Sequence, residues 1–117
     1  MSVFLCYDKC TTCKKARKWL AEHEVSFEER PIKEQNPSID ELRAWHTKSG
    51  LPLKRFFNTS GQLSRSMELS SKLPTLSEEE QLALLASDGM LVKRPIFVSD
   101  DVVLVGFKEA EWMEKLL

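Results

Sequence analysis

Two cysteines in a Cys-x-x-Cys spacing, Cys10 and Cys13, lie between a short apolar run and an amphipathic stretch. The run at residues 2–7 is typical of a buried strand. The stretch from about Thr11 to Glu24 has helical periodicity, with an inner face formed by Ala16, Trp19, Leu20 and His23. The order strand, turn, helix places the pair at a helix N-terminus. Unpaired backbone N–H groups and the helix dipole favour a thiolate there, which predicts a redox-active pair.

The two cysteines are expected to have different roles. Cys10 lies before or at the helix cap, where its sulfur can face both solvent and the unpaired N–H groups. Cys13 lies about one turn further along and is expected to be more shielded. Cys10 is therefore predicted to be the attacking thiolate, and Cys13 the thiol that resolves the mixed disulfide or adduct.

The segment around the pair is basic. Five Lys or Arg residues and no acid lie between Lys9 and Lys18. Two interpretations stay open for these cations. They form a solvated helix face, or their field, to which Lys14 and Arg17 contribute, lowers the thiol pKa and attracts anions.

Length, charge and cysteine count limit the remaining function classes. A chain of 117 residues fits one domain, and its net charge of -1 gives no global field for nucleic acid or membranes. Three cysteines cannot be fully paired within the chain. The beginning of the sequence lacks a signal-peptide pattern, and no apolar run approaches a membrane span. These features predict a cytoplasmic protein.

Zinc binding is the alternative use of a close cysteine pair. A structural zinc site needs four ligands, and only Cys6, His23 and His46 remain to complete one. Cys6 is expected to be a small apolar residue of the first strand that faces the core if Phe4 also points inward. We therefore expect no metal and no bound cofactor.

The rest of the chain divides into a helical middle and a strand-rich end. A second strand is predicted over Val25–Arg30. The middle has capping boxes at Ser38–Glu41 and Ser77–Glu80; the helices that follow are expected to end near Lys48, before Gly50, and at Gly89. Further expectations are a short helical turn at Leu53–Phe57, a turn at 58–61, a hairpin of Ile96–Val98 with Val102–Val105, and a final helix over Lys108–Leu117.

This order of elements, β-α-β, a helical insertion, then β-β-α, predicts an α/β fold. With a Cys-x-x-Cys after the first strand, it fits the thioredoxin-like (glutaredoxin-like) architecture with an inserted helical subdomain. We expect a single domain in which residues 1–35 and 91–117 form the core and residues 36–90 form the insertion.

Arg94-Pro95 is a second feature of interest, directly before a predicted strand. Proline at a strand's first residue is tolerated, so it can simply initiate the strand. Alternatively, a cis Arg94-Pro95 bond would hold the Arg94 side chain beside the cysteine turn. Residue spacing leaves both interpretations open.

The chain resembles the ArsC/Spx family of thioredoxin-fold proteins along almost its whole length. The resemblance is carried by Cys10-Thr11-Thr12-Cys13-Lys14-Lys15-Ala16, Gly50, Phe56-Phe57-Asn58-Thr59-Ser60-Gly61, Lys93-Arg94-Pro95-Ile96 and Val105-Gly106-Phe107. It implies a cis bond at Pro95 and an active site formed by Cys10 and Arg94. It also implies a substrate site that includes Thr11, Thr12, Lys14, Asn58 and Pro95.

The resemblance implies a thiol-dependent oxidoreductase that reduces an oxyanion or a disulfide. Glutathione, glutaredoxin or thioredoxin is the implied reductant. The family's arsenate reductases carry an arginine where this chain has Asn58 and another near Phe107, and often a serine where Cys13 stands. Lys54, Arg55 or Lys108 would have to replace those arginines, and an ammonium is not equivalent to a guanidinium at a bidentate site. The departures weaken arsenate as the substrate and leave thiol redox chemistry in place.

The Spx branch implies a function of another class. Those proteins use a Cys-x-x-Cys as a redox switch and bind the C-terminal domain of the RNA polymerase α subunit, without a DNA-recognition motif of their own. Gly50 stands where that branch has a glycine at the polymerase contact, although a glycine after a helix is also a common C-cap. A third alternative is an ArsC-like binding module with little catalysis.

Overall fold

A computed structural model describes residues 2–58 and 68–117. It divides into two compact units, the first formed by Met1–Pro31 with Arg94–Leu117 and the second by Ile32–Lys93. Within the described residues, no helix has the length and apolar character needed to cross a membrane.

The first unit contains a four-stranded mixed sheet and two helices. In chain order they are β1 (Val3–Cys6), α1 (Thr11–Glu22), β2 (Glu28–Pro31), β3 (Ile96–Val98), β4 (Val103–Val105) and α5 (Glu109–Leu116). The strand order is β2-β1-β3-β4. β1 is parallel to β2 and antiparallel to β3, and β3 is antiparallel to β4. This mixed sheet confirms the predicted α/β, thioredoxin-like class.

An aromatic cluster centred on Trp112 of α5 fills the core of the first unit. Trp112 has no exposed surface, and its indole N–H donates to the Gly106 carbonyl over 3.0 Å. Four aromatic rings lie with centroids 5.0–6.4 Å from it, those of Phe4, Trp19, Phe97 and Phe107. Ala16 and Leu20 of α1 belong to the same cluster, so the amphipathic pattern of α1 has the predicted inner face, except that His23 is only half-buried.

The second unit is helical. Its helices are α2 (Ile39–Ser49), the single turn α3 (Leu69–Lys72) and α4 (Glu78–Ser87), with 3₁₀ turns at Leu53–Phe56, Leu73–Thr75 and Gly89–Leu91. Ser38 and Ser77 both form the predicted capping boxes. Gly50 ends α2 in the left-handed conformation with φ +69°. The predicted turn at 58–61 lies, beyond its first residue, outside the described residues.

Most element boundaries lie within one residue of the sequence-based expectation, and three larger differences have a visible cause. α1 ends at Glu22 because Glu24 adopts a left-handed φ of 55°. β2 starts at Glu28 because its partner strand β1 starts at Val3, the residue paired with Glu28. α4 ends before Asp88, whose side chain accepts from the Met90 N–H and begins a new 3₁₀ turn.

Candidate active site

Cys10 is the N-cap of α1 in the structure, the position expected for the attacking thiol. It has extended backbone angles and is partly exposed, while its backbone N–H donates to the Tyr7 carbonyl and closes the turn after β1. The strand end and the helix start therefore fix the sulfur at the helix N-terminus. All three cysteines are free thiols.

The environment of Cys10 favours its thiolate. Partial burial on its own raises the pKa of Cys10. Hydrogen bonds from the Cys13 backbone N–H, the Cys13 thiol and the Arg94 guanidinium act in the opposite direction, together with the positive charge of Arg94. These interactions prevail, and the pKa of Cys10 lies below its ordinary value.

Cys13 has the opposite character. It is fully buried, and its sulfur accepts a hydrogen bond from the Tyr7 backbone N–H over 3.3 Å. Burial, with smaller effects of the neighbouring Cys10 and Cys6 thiols, raises the pKa of Cys13 to about 12. At neutral pH the pair therefore consists of one activated sulfur at the surface and one protonated sulfur beneath it.

Arg94 is the guanidinium associated with the Cys10 sulfur. The Arg94-Pro95 bond is cis, the second of the two alternatives that the sequence left open. The guanidinium carbon lies 5.0 Å from the centroid of the Tyr7 ring, a cation–π distance. Its Nε and Nη1 atoms are buried, and neither has a hydrogen-bond partner in the part of the chain that the structure describes. These two N–H groups are unsatisfied donors of the guanidinium that hydrogen-bonds to the Cys10 sulfur.

The other predicted site residues lie at different places. Thr11, Thr12 and Lys14 are exposed in the first turn of α1, next to Cys10. Pro95 is buried directly before β3. Asn58 is buried in the second unit, where its backbone N–H donates to the Leu91 carbonyl over 2.8 Å. The roles of these five residues in substrate binding remain predictions.

Sequence reasoning missed one residue of the site, Tyr7, and one contact, that of Arg17. Tyr7 contacts both Cys13 and Arg94, although its only signal in the sequence is its place three residues before Cys10. Arg17 was expected only to add positive charge, but its Nη2 donates to the Cys6 sulfur over 3.3 Å. Cys6 is buried as expected, yet it has a polar partner that an apolar role does not require.

The described residues contain no group of three or more His, Cys, Asp or Glu arranged to hold a metal ion. His23 lies over the Trp19 ring at 4.3 Å, and its Nδ1 lies 2.9 Å from the Trp19 carbonyl. His46 lies 3.3 Å from a Glu78 carboxylate oxygen in the second unit. Both imidazoles thus have other partners.

Comparison with known proteins supports the resemblance seen in the sequence. Residues 5–115 match the ArsC family. YusI of Bacillus subtilis, a protein named as uncharacterized, is 55% identical over 95% of this chain and 94% of its own. The global transcriptional regulator Spx of Enterococcus faecalis is 32% identical over 87% of this chain and 76% of its own.

A solved structure of similar fold is described as that of a possible arsenate reductase from Streptococcus mutans UA159. It is 40% identical, covers 97% of this chain and 98% of its own, and has a TM-score of 0.89. The relatives thus include both a reductase-like protein and transcription regulators. With the family match extending over nearly the whole sequence, the chain belongs to the ArsC family.

Proposed function

We propose that this protein is a thiol-dependent oxidoreductase in which Cys10 attacks and Cys13 resolves. The observation that carries the proposal is the contrast between the two sulfurs. Cys10 is partly exposed with a lowered pKa, whereas Cys13 is buried with a pKa of about 12. Two inert structural thiols would not require a guanidinium beside one of them.

The first step is attack of the Cys10 thiolate on one sulfur of a substrate disulfide. A mixed disulfide with Cys10 forms, the substrate S–S bond breaks, and the second substrate sulfur leaves as a thiolate. Arg94 positions an anionic part of the substrate, because two of its guanidinium nitrogens lack partners among the described residues. For an oxyanion substrate, the same donors stabilise the developing negative charge.

The second step is attack by Cys13 on the Cys10 sulfur, which releases the reduced substrate as a thiolate and leaves a Cys10–Cys13 disulfide. Two electrons pass from the cysteine pair to the substrate. Burial is the main reason for the high pKa of Cys13, and the Cys10 thiolate adds to it. Once Cys10 is in a mixed disulfide it carries no negative charge, and its effect on the pKa of Cys13 disappears. The pKa of Cys13 therefore falls at the step in which Cys13 attacks.

A reductant must then restore the dithiol. Glutathione, glutaredoxin or thioredoxin supplies the two electrons, which implies a redox partner in the cytoplasm. No bound cofactor takes part in this cycle. The similarity to a possible arsenate reductase supports the reaction class, and a disulfide or an oxyanion is the substrate class.

The test is NADPH consumption by the purified protein, coupled separately to the glutaredoxin and thioredoxin systems. Arsenate and hydroxyethyl disulfide are the two substrates. We expect turnover that Cys10→Ser abolishes, and a trapped mixed disulfide in Cys13→Ser. Lys15→Gln, which removes an exposed cation of α1, is the matched control. Turnover in Cys10→Ser that exceeds the rate of the coupling system alone and equals that of the unmodified chain would rule the proposal out.

A redox-switched regulator is the second candidate function. Its support is the 32% identity to Spx and the position of Gly50, which is exposed at the end of α2. This function predicts a complex with the C-terminal domain of the RNA polymerase α subunit whose affinity changes when the Cys10–Cys13 disulfide forms. Fluorescence anisotropy with that domain tests it, and no binding in either redox state removes it.

A binding module with little catalysis is distinguished by the thiolate absorbance of Cys10. A titration midpoint near that of a free thiol, about 8.5, would argue against an activated nucleophile and favour this alternative.

A further inference from the structure

The third cysteine, Cys6, is a nucleophilic group that the proposed cycle does not use. It is only 2% exposed. It lies in one buried cluster with Phe4 of β1 and with Cys13 and Ala16 of α1. Residues two apart on a strand share a face, so Cys6 and Phe4 both point towards α1. The Cys6 and Cys13 thiols therefore belong to the same side of the sheet.

The backbone places these two residues close together. The Tyr7 nitrogen, which lies 3.3 Å from Cys13 Sγ, is bonded directly to the Cys6 carbonyl carbon. Covalent geometry then puts Cys13 Sγ no more than about 6 Å from Cys6 Cα. Both side chains belong to the same buried cluster, so rotation of Cys6 about its Cα–Cβ bond can bring its sulfur towards Cys13 Sγ.

Arg17 donates a hydrogen bond to the Cys6 sulfur. It lies one helical turn after Cys13, and its Nη2 donates to Cys6 Sγ over 3.3 Å. Glu29 holds the Arg17 Nε at 2.6 Å, and Asp8 lies 3.6 Å from Nη2. Burial, with the nearby Glu29 and Asp8 carboxylates, holds the pKa of Cys6 above its ordinary value, and the hydrogen bond and charge of Arg17 offset that effect only in part. The guanidinium is thus positioned to stabilise a thiolate that burial alone would disfavour.

We propose that Cys6 is a second resolving thiol, which takes the disulfide over from Cys10. The Cys6 thiolate attacks Cys13 Sγ in the Cys10–Cys13 disulfide. A Cys6–Cys13 bond forms, the Cys10–Cys13 bond breaks, and the electron pair leaves on Cys10 Sγ. The proton lost by Cys6 balances the negative charge on Cys10. The exchange consumes no oxidant or reductant, and it rests on the proposed function, whose substrate oxidises the pair first.

The direction of the exchange follows from the leaving group. Thiols of lower pKa leave faster, and Cys10 is the sulfur of the pair whose pKa is lowered. Cys10 is then again a reduced thiol at the surface, while the disulfide joins the two buried sulfurs of Cys6 and Cys13. The protein would thus stay reactive towards a second substrate molecule before any reductant arrives.

Tryptic peptides of the full chain separate the two disulfides. Cleavage after Lys9 leaves Cys6 in residues 1–9, and Cys10 with Cys13 in residues 10–14. The reduced protein is treated with one equivalent of diamide, blocked with N-ethylmaleimide, and digested without reductant. Before digestion, the monomer is isolated on a non-reducing gel. In its digest we expect peptides 1–9 and 10–14 to be joined by a disulfide, with N-ethylmaleimide on Cys10. We expect Cys6→Ala to lose this cross-link. We expect Cys6 and Cys13 to stay labelled in Cys10→Ser, because that variant cannot form the Cys10–Cys13 disulfide that Cys6 attacks.

Arg17→Gln tests the positioning role of the guanidinium. Loss of a hydrogen bond to a charged group is expected to slow cross-linking about tenfold. It should also move the pH profile of the exchange to higher pH, which a purely structural role would not do. Lys15→Gln removes a cation from the same helix without touching a sulfur and should leave both readouts unchanged.

The outcomes separate the two proposals. An internal Cys10–Cys13 disulfide in peptide 10–14, with Cys6 fully labelled, overturns the exchange and leaves the proposed function standing. A Cys6–Cys13 cross-link that forms as fast in Cys10→Ser as in the unmodified chain also overturns the exchange, because the cross-link would then not pass through Cys10. Full labelling of all three cysteines after diamide overturns both proposals.

Discussion

The contrast between Cys10 and Cys13 predicts very unequal reaction with a small alkylating reagent. The perturbation is iodoacetamide, added to the reduced protein over a range of pH. Only the thiolate reacts at an appreciable rate. The relative rates therefore report how much of each sulfur is ionised.

The size of the effect follows from the two pKa values. With a pKa of about 12, Cys13 is a thiolate in about one molecule in 10⁵ at pH 7. Because the pKa of Cys10 lies below 9.0, at least about one Cys10 in 100 is ionised. That gives a ratio of at least about 10³. The weaker nucleophilicity of the less basic thiolate removes about 30-fold of it, so Cys10 should react at least about 30 times faster.

Burial enlarges this difference, since Cys13 has no exposed surface. The assay is a quenched time course, followed by mass spectrometry that locates the label within residues 10–14. The Cys10 rate should level off below pH 9, whereas the Cys13 rate keeps rising about tenfold per pH unit. In Arg94→Gln, the Cys10 curve should move to higher pH because a hydrogen bond and a positive charge are lost.

Two results would refute this reasoning. A Cys10-to-Cys13 rate ratio below about ten at pH 7 would mean that the two thiols do not differ as described. A Cys10 rate that still rises tenfold per unit at pH 9 would mean that its pKa is not lowered.

Two comparisons of stability test the packing. In Gly89→Ala the new methyl group meets the Ile32 carbonyl, a backbone atom that cannot turn aside, so unfolding free energy should fall by about 2–3 kcal/mol. In Gly50→Ala the new methyl group meets no described residue within 4 Å, but the backbone keeps a φ of +69°, so the change should cost only about 1 kcal/mol. Trp112→Ala removes a fully buried ring and should lower the unfolding free energy by about 3–5 kcal/mol. Met113 is 46% exposed, so Met113→Ala should lower it by less than about 0.5 kcal/mol. Urea denaturation measures all four, and equal costs within either pair would contradict the packing described.

The sequence predicts those elements whose determinants are local. The capping boxes at Ser38 and Ser77 and the apolar face of α1 involve residues within one or two helical turns, and the structure contains them. The start of β2 is different. Val25 and Phe27 have the apolar pattern of a strand because they pack on the core. Strand pairing begins only at Glu28, the residue opposite Val3 at the start of β1.

Gly89 is a second residue whose structural role could not be predicted from the local sequence. A glycine after an amphipathic helix predicts a C-cap, yet Gly89 is not among the described glycines with positive φ. Its lack of a side chain instead permits close approach to the Ile32 backbone, 57 positions earlier in the sequence. That contact depends on tertiary packing and leaves no local pattern.

In the candidate site, too, some features follow from the local sequence and others depend on tertiary packing. The helix-cap position of Cys10 follows from the order strand, turn, helix. The interactions of Tyr7 with Cys13, and of Arg17 with Cys6, depend on how β1 packs against α1. No spacing rule connects an arginine to a cysteine eleven residues earlier across two elements.

The discontinuous first unit has a consequence for synthesis of the protein. Its β1 and α1 come from residues before Ile32, whereas β3, β4 and α5 come from residues after Lys93. At a typical 5–20 residues per second, a ribosome takes about 3–12 s to make the intervening 62 residues. During that interval the nascent chain already carries Cys10 but not yet Arg94. The thiol therefore leaves the ribosome before the guanidinium that activates it exists.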